Sequence, residues 1–178
     1  MSTTRSVFQW TPGVSRGSII SIDLRFVYSH PAHAIAFSGG AGLAPFAPGT
    51  WGTLIAFPLY SLLLPHAASW WFVLELAALF ALGVWACDIT GRALGIADYG
   101  GMVWDETVAF LLVLAFTPEG WLWQATAFGL FRFFDIVKPP PIRFYDRTLK
   151  NGFGVMFDDL IAAGYTVFVL ALLKQVMS

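Results

Sequence analysis

Ser69-Trp70-Trp71-Phe72-Val73-Leu74-Glu75-Leu76-Ala77-Ala78-Leu79-Phe80-Ala81-Leu82-Gly83-Val84-Trp85-Ala86-Cys87 is an apolar run interrupted by one acid, Glu75, and by no Lys, Arg or Pro. It nearly reaches the ~20 residues that a straight membrane-spanning helix needs. Outward from it lie four shorter apolar segments: Leu54–Leu64, Val108–Phe116, Trp121–Phe134 and Leu160–Leu173. A helix as long as Trp121–Phe134 covers only about 21 Å. The shorter segments must borrow flanking residues, sit in a thinned bilayer, or penetrate partway inside a bundle. None alternates apolar and polar residues along its length, so sheet is not expected. The expected fold is all-α: a polytopic membrane helical bundle of about five apolar helices, some too short to span alone.

Composition agrees. The 178 residues are 57% hydrophobic and 12% charged, with 17 Phe and 8 Trp. A soluble domain carries about 25% charged residues, so this chain has too little charge to cover a water-facing surface. A disordered chain, an ordinary cytosolic enzyme and a nucleic-acid binder are excluded; the last needs a basic excess, and the net charge is −1. The single Cys87 excludes an internal disulfide and a thiolate zinc site. Residues 1–29 have no apolar piece long enough for a signal-peptide core. They read as a loose cytoplasmic arm ahead of one membrane-embedded helical domain, 30–178, with no repeat and no linker.

Basic loops stay cytoplasmic. The turns Pro65–Ala68 and Thr117–Gly120 hold no Lys or Arg, whereas Asp88–Trp104 holds Arg92, and Asp135–Phe157 holds Lys138, Arg143, Arg147 and Lys150. The arm and the two basic loops are therefore placed on the cytoplasmic side. That orientation gathers Asp88, Asp98, Asp105, Glu106, Asp135, Asp146, Asp158 and Asp159 at one membrane face. Carboxylates beside apolar surface are costly unless a cation or metal offsets them.

Four constellations can carry chemistry. Val103-Trp104-Asp105-Glu106-Thr107 and Val155-Met156-Phe157-Asp158-Asp159 each place two acids just before an apolar helix. Capping accounts for one acid in each pair. Convergence of both pairs on one or two Mg²⁺, which prefers carboxylate and water oxygens, accounts for all four. Phe131-Arg132-Phe133-Phe134-Asp135-Ile136-Val137-Lys138-Pro139-Pro140-Pro141 brings Asp135 to the same face. Arg132 and Asp135 have the spacing of a helical ion pair. Lys138 reads either as a phosphate ligand stiffened by the prolines or as a snorkelling side chain. Gly39-Gly40-Ala41-Gly42-Leu43-Ala44-Pro45-Phe46-Ala47-Pro48-Gly49-Thr50-Trp51-Gly52-Thr53 reads as an anion-cradling loop or as a tight turn with close helix packing. It is no Walker loop, since no Lys follows the glycines. His33 has a structural reading beside a base or ligand role.

These motifs in this order resemble the phosphatidylglycerophosphatase A family, bacterial lipid phosphatases of the inner membrane. The resemblance spans about residues 30–165. It rests on His33, on Gly42 through Thr53, on Val103-Trp104-Asp105-Glu106, on Phe131 through Ile142, and on Gly152-Phe153-Gly154-Val155-Met156-Phe157-Asp158-Asp159. The chain departs at Thr53, where Ser is usual, and at Ala109, where Gly is common. The resemblance implies an Mg²⁺-dependent phosphoric monoester hydrolase that converts phosphatidylglycerophosphate to phosphatidylglycerol and phosphate. The partner is then a phospholipid, with no nucleic acid and no obligatory protein partner.

With that substrate, Asp105, Glu106, Asp158 and Asp159 are expected around the metal. Asp135 is a further ligand or the water-positioning base, so Asp105, Asp135 and Asp158 form the catalytic expectation. Lys138 and the Gly49–Thr50 backbone would hold phosphate oxygens, with Arg132 and Arg143 as further candidates. An aspartyl-phosphate intermediate and direct water attack both stay open. Two rival readings are a divalent-cation transporter, which would carry its acids near mid-membrane, and a lipid-headgroup phosphotransferase, which would space them along one helix.

Overall fold

A computed structural model describes residues 5–8, 19–63 and 69–177. Much of the expected arm, the turn 65–68 and His66 lie outside them. The five apolar segments all become helices, each longer than its apolar centre. They are α3 (Pro48–Leu63), α4 (Trp70–Leu94), α5 (Trp104–Phe116), α6 (Trp121–Val137) and α8 (Gly152–Met177). Three short helices join them: α1 (Leu24–Val27), α2 (Pro31–Ala36) and α7 (Ile142–Thr148). A 3₁₀ turn, Ser38–Leu43, links α2 to α3.

Among the described residues, only α4 and α8 are long and apolar enough to cross a membrane; their most apolar stretches have mean hydropathy 2.0 and 1.8. Each runs nearly 40 Å at 1.5 Å per residue. The short α5 is accommodated by enclosure. α5 buries Asp105, Thr107, Val108, Ala109, Phe110, Leu111, Val113 and Leu114. It packs mainly on α8 and α3, and also on α4 and α6. A helix wrapped by others needs no spanning length, because protein satisfies its ends. The result is an all-α membrane bundle built around α5.

One small sheet departs from the expectation of none. β1 (Arg5–Phe8) pairs antiparallel with β2 (Ile19–Ile22), Arg5 facing Ile22. The run Ile19-Ile20-Ser21-Ile22 is rich in β-branched residues, which favour strands. Ile22 and Val27 are fully buried against Ala32, Phe37, Ala86 and Leu94, so the end of the expected arm is packed into the core. Asp23 caps α1 by accepting from Phe26 N–H, and His30 caps α2 by accepting from Ala32 N–H.

Two apolar clusters form the interior. One joins α2, the carboxyl half of α4 and Val155–Met156 of α8. The other joins α5, α6, Ala56, Ile142 and Ala162–Ala163 of α8. On α8, Asp158 and Asp159 come between residues of the two clusters.

Candidate functional site

The acid pairs are not caps. The residue preceding α5, Val103, makes no side-chain capping bond, and α8 starts at Gly152, well before its acids. Asn151 caps α8, its side-chain oxygen accepting from Gly154 N–H at 2.9 Å. Asp158 and Asp159 therefore sit in the second turn, facing inward, and both are buried. The sequence reading began that helix at Leu160; the true start is earlier because Gly154 fits against the Leu149 backbone where a Cβ would not.

Three carboxylates converge. One oxygen each from Asp105, Glu106 and Asp159 lies within 4.8 Å of the other two. Asp105 Oδ1, Glu106 Oε2 and Asp159 Oδ2 are buried and have no hydrogen-bond partner. Buried carboxylate oxygens left unmatched are expensive. A hard divalent cation with oxygen ligands matches them, so the residues present fit Mg²⁺.

The fourth acid of the two pairs turns elsewhere. Asp158 Oδ2 accepts from Lys138 Nζ at 2.5 Å, and its Oδ1 is buried without a partner. Adjacent helical residues point about 100° apart, so Asp159 faces α5 while Asp158 faces the end of α6. Lys138 also donates to Asp146 Oδ1 at 2.8 Å. Burial opposes the charge on Lys138, but Asp158 and the bonds to both acids outweigh it, and its pKa stays raised. Burial likewise opposes charge on Asp146, but the bond to Lys138 together with the charges of Lys138, Lys150 and Arg147 outweighs it, leaving its pKa lowered. Both groups are held in their charged forms.

Lys138 closes α6 in the left-handed region, at φ 46° and ψ 64°. That conformation is uncommon for a non-glycine residue. Its two carboxylate partners hold it there.

Arg132 is the second half-buried cation. Its Nη1 donates to Asp135 Oδ2 at 2.5 Å and lies 3.5 Å from Glu106 Oε1. The expected helical pair is present and extends to α5. The start of α3 closes on this pair: a Cβ on Gly49 would collide with Glu106 Oε1 and come within 2.8 Å of Arg132 Nη1. Gly49 thus permits a backbone approach that no other residue allows. Its neighbour Thr50 is half-buried, and Thr53 Oγ1 donates to the Gly49 carbonyl at 2.8 Å.

The structure brings together Asp105, Glu106, Asp135, Asp158, Asp159, Arg132, Lys138 and Gly49 at one end of the bundle. It sets Arg143 apart. That side chain is exposed on α7 and lines a surface cavity with Pro140, Phe144, Arg147 and Thr148, which includes no carboxylate. Asp146 was not among the expected site residues, yet it anchors Lys138. The only signal for it was its place among eight acids at one face. His33 lies elsewhere, buried with its Nδ1 2.9 Å from Thr90 Oγ1 and its ring stacked on Phe26. Burial, then the charge of His30, lowers its pKa.

Comparison with protein families matches residues 34–174 to Phosphatidylglycerophosphatase A. The chain belongs to the phosphatidylglycerophosphatase A family. It is 46% identical over 142 residues to the phosphatidylglycerophosphatase A of Haemophilus influenzae, covering 79% of this chain and 87% of that one. It is 36% identical over 151 residues to the Escherichia coli protein of the same name, covering 82% and 85%. A Bacteroides thetaiotaomicron protein, named as a proposed phosphatidylinositol-3-phosphatase, is 39% identical over 146 residues, covering 78% and 90%. No solved structure matches the chain. Every site residue of this phosphatidylglycerophosphatase A family member lies within the matched segment.

Proposed function

We propose that this chain hydrolyses phosphatidylglycerophosphate to phosphatidylglycerol and inorganic phosphate in an Mg²⁺-dependent reaction of phosphatidylglycerol synthesis. It would do so as a multi-pass protein of the bacterial inner membrane, with the site on the cytoplasmic side. The observation that carries the reading is the convergence of Asp105, Glu106 and Asp159 beside two half-buried cations, Lys138 and Arg132, at one end of the helices. Acids and cations placed at a helix end meet a lipid headgroup at the membrane interface. A transporter would want its acids midway along the helices.

Asp105, Glu106 and Asp159 would hold the metal. When bound, Mg²⁺ neutralises phosphate charge and eases departure of the lipid alkoxide. Asp158 and Asp146 keep Lys138 charged and aimed, so its ammonium can take a non-bridging phosphate oxygen. Arg132 fixes Asp135 by a charged hydrogen bond. Asp135 then positions a water and accepts its proton as the water oxygen bonds to phosphorus. The ester P–O bond breaks, and the proton passes to the lipid oxygen to leave the hydroxyl of phosphatidylglycerol.

Phosphate release from the purified full chain tests this. Phosphatidylglycerophosphate should be hydrolysed with Mg²⁺ and not in excess chelator. Activity that survives chelation removes the metal. Faster hydrolysis of phosphatidylinositol 3-phosphate replaces the substrate.

A further inference from the structure

Two cavities meet at one hydrogen bond, and neither belongs to the carboxylate site. The first, of about 290 Å³, is lined by Pro140, Arg143, Phe144, Arg147 and Thr148. The second, of about 310 Å³, is lined by Ile161, Gly164, Tyr165 and Phe168 of α8. The Tyr165 hydroxyl, lining the second, donates to the Pro140 carbonyl, lining the first, at 2.9 Å.

Their chemistries are opposite. Arg143 and Arg147 are one turn apart on an exposed face of α7, and neither forms an ion pair with a described residue. The acid of that helix, Asp146, is committed to Lys138. Two guanidiniums at i and i+4 suit one phosphate group, which accepts forked N–H donors. The second cavity is an apolar stripe at i, i+3, i+4 and i+7, notched by Gly164, whose missing side chain leaves open space. Asp158 lies one turn before this stripe and on its flank, so the notch leads away from the catalytic end along the outside of α8.

We propose that these cavities form one site for an anionic phospholipid, with its phosphodiester on Arg143 and Arg147 and one acyl chain in the Gly164 notch. This rests on the lipid-phosphatase reading and adds to it the part of the lipid that does not react. It also reassigns Arg143 from the scissile phosphate to the phosphodiester. The phosphodiester comes from the substrate itself or from a neighbouring lipid of the same chemistry.

The full chain, purified in detergent and offered dioleoyl phosphatidylglycerol or dioleoyl phosphatidylcholine, should retain the former in native mass spectrometry. Replacing both arginines by Gln should erase that preference about tenfold, the scale of one charge-assisted hydrogen bond. The double Lys variant, which keeps the charge and loses the forked donors, should fall between the wild type and the double Gln variant. Gly164→Leu fills open space, so it should fold, and it should lower retention of dioleoyl but not dihexanoyl phosphatidylglycerol. In turnover, the arginine variants should raise KM for long-chain substrate more than they lower kcat. Phosphatidylglycerol that competes with substrate identifies the substrate's own phosphodiester. Phosphatidylglycerol that activates the wild type, and not the double Gln variant, identifies a neighbour.

Unchanged retention in the double Gln variant, or an unchanged dioleoyl-to-dihexanoyl ratio in Gly164→Leu, overturns the site. Wild-type protein that retains phosphatidylglycerol as described yet hydrolyses no lipid phosphomonoester overturns the phosphatase reading and leaves this one standing.

Discussion

Asp105-Glu106 on α5 and Asp158-Asp159 on α8 look alike in sequence and differ in use. Both α5 acids join Asp159 in one three-carboxylate group. Asp158 leaves its neighbour to pair with Lys138. The α5 acids sit in a first turn, where backbone N–H groups are still free to favour negative charge. The α8 acids sit deeper, where each points to whatever packs against its own face. Adjacency along a helix separates side chains; convergence comes from the neighbouring helix. The division is three acids gathered together and one acid given to a lysine.

The strongest way to break that division is to neutralise its members singly. Asp105→Asn and Asp159→Asn should each cut phosphate release by about 10²–10³-fold, as when one electrostatic stabiliser is lost. Circular dichroism should show the helical content kept, since Asn preserves shape. Asp158→Asn should cost less, because Asp146 still holds Lys138. Equal losses in all three would erase the difference between the pairs.

A smaller effect should come from Lys138→Gln, about tenfold in kcat/KM by the loss of one charged contact. Asp158 and Lys138 should then couple. The double variant should fall short of the summed single effects by about 0.5–3 kcal/mol. Strict additivity would mean that the bond between them carries nothing in catalysis.

Gly49→Ala sharpens the comparison from the α3 side. Its Cβ must displace Glu106 and Arg132, an overpacking that costs about 1–3 kcal/mol and should lower both thermal stability and activity. Gly129→Ala, which enters open space, should be neutral or slightly stabilising. Matching behaviour of the two would remove the tight approach at Gly49.

The smallest expected effect is a pH dependence away from both pairs. His33 has a lowered pKa, from burial first and then His30. Its neutral form is favoured by folding, so this contribution is complete above the unfolded value of about 6.5. It is lost as pH falls through that value toward the folded one. Thermal unfolding midpoints should therefore fall between pH 7.5 and 5.5, and His33→Gln should flatten that fall. A wild-type midpoint constant over the range would overturn it.

The helices were legible because hydrophobic runs need no partner to be recognised. Their ends were less so. α8 gains its first two turns from Gly152, which fits against Val84 and Asp88 of α4, a contact between segments distant in sequence, and from Gly154, which fits against Leu149 just ahead of the helix. The hairpin of β1 and β2 rests on local pairing that a search for spanning segments passes over. Among the site residues, spacing announced Arg132 with Asp135, a local pair on one helix. The link from Lys138 to Asp146 and Asp158, and the separation of Arg143, depend on where α7 turns after the prolines. The mutual approach of Glu106, Arg132 and Gly49 joins three helices, which no spacing rule along one chain expresses.

The enclosure of α5 limits how a lipid can arrive. α8, α3, α4 and α6 all pack on α5, and the facing oxygens of Asp105, Glu106 and Asp159 are buried. On the lipid-phosphatase reading, a reacting phosphate must reach below the surface while the tails stay in the bilayer, so the length of the headgroup becomes a ruler. Phosphatidylglycerophosphate holds its terminal phosphate one glycerol beyond the phosphodiester; phosphatidic acid holds its phosphate at the diester's own position. The shorter lipid should be hydrolysed more slowly, and the ratio of the two rates measures that depth.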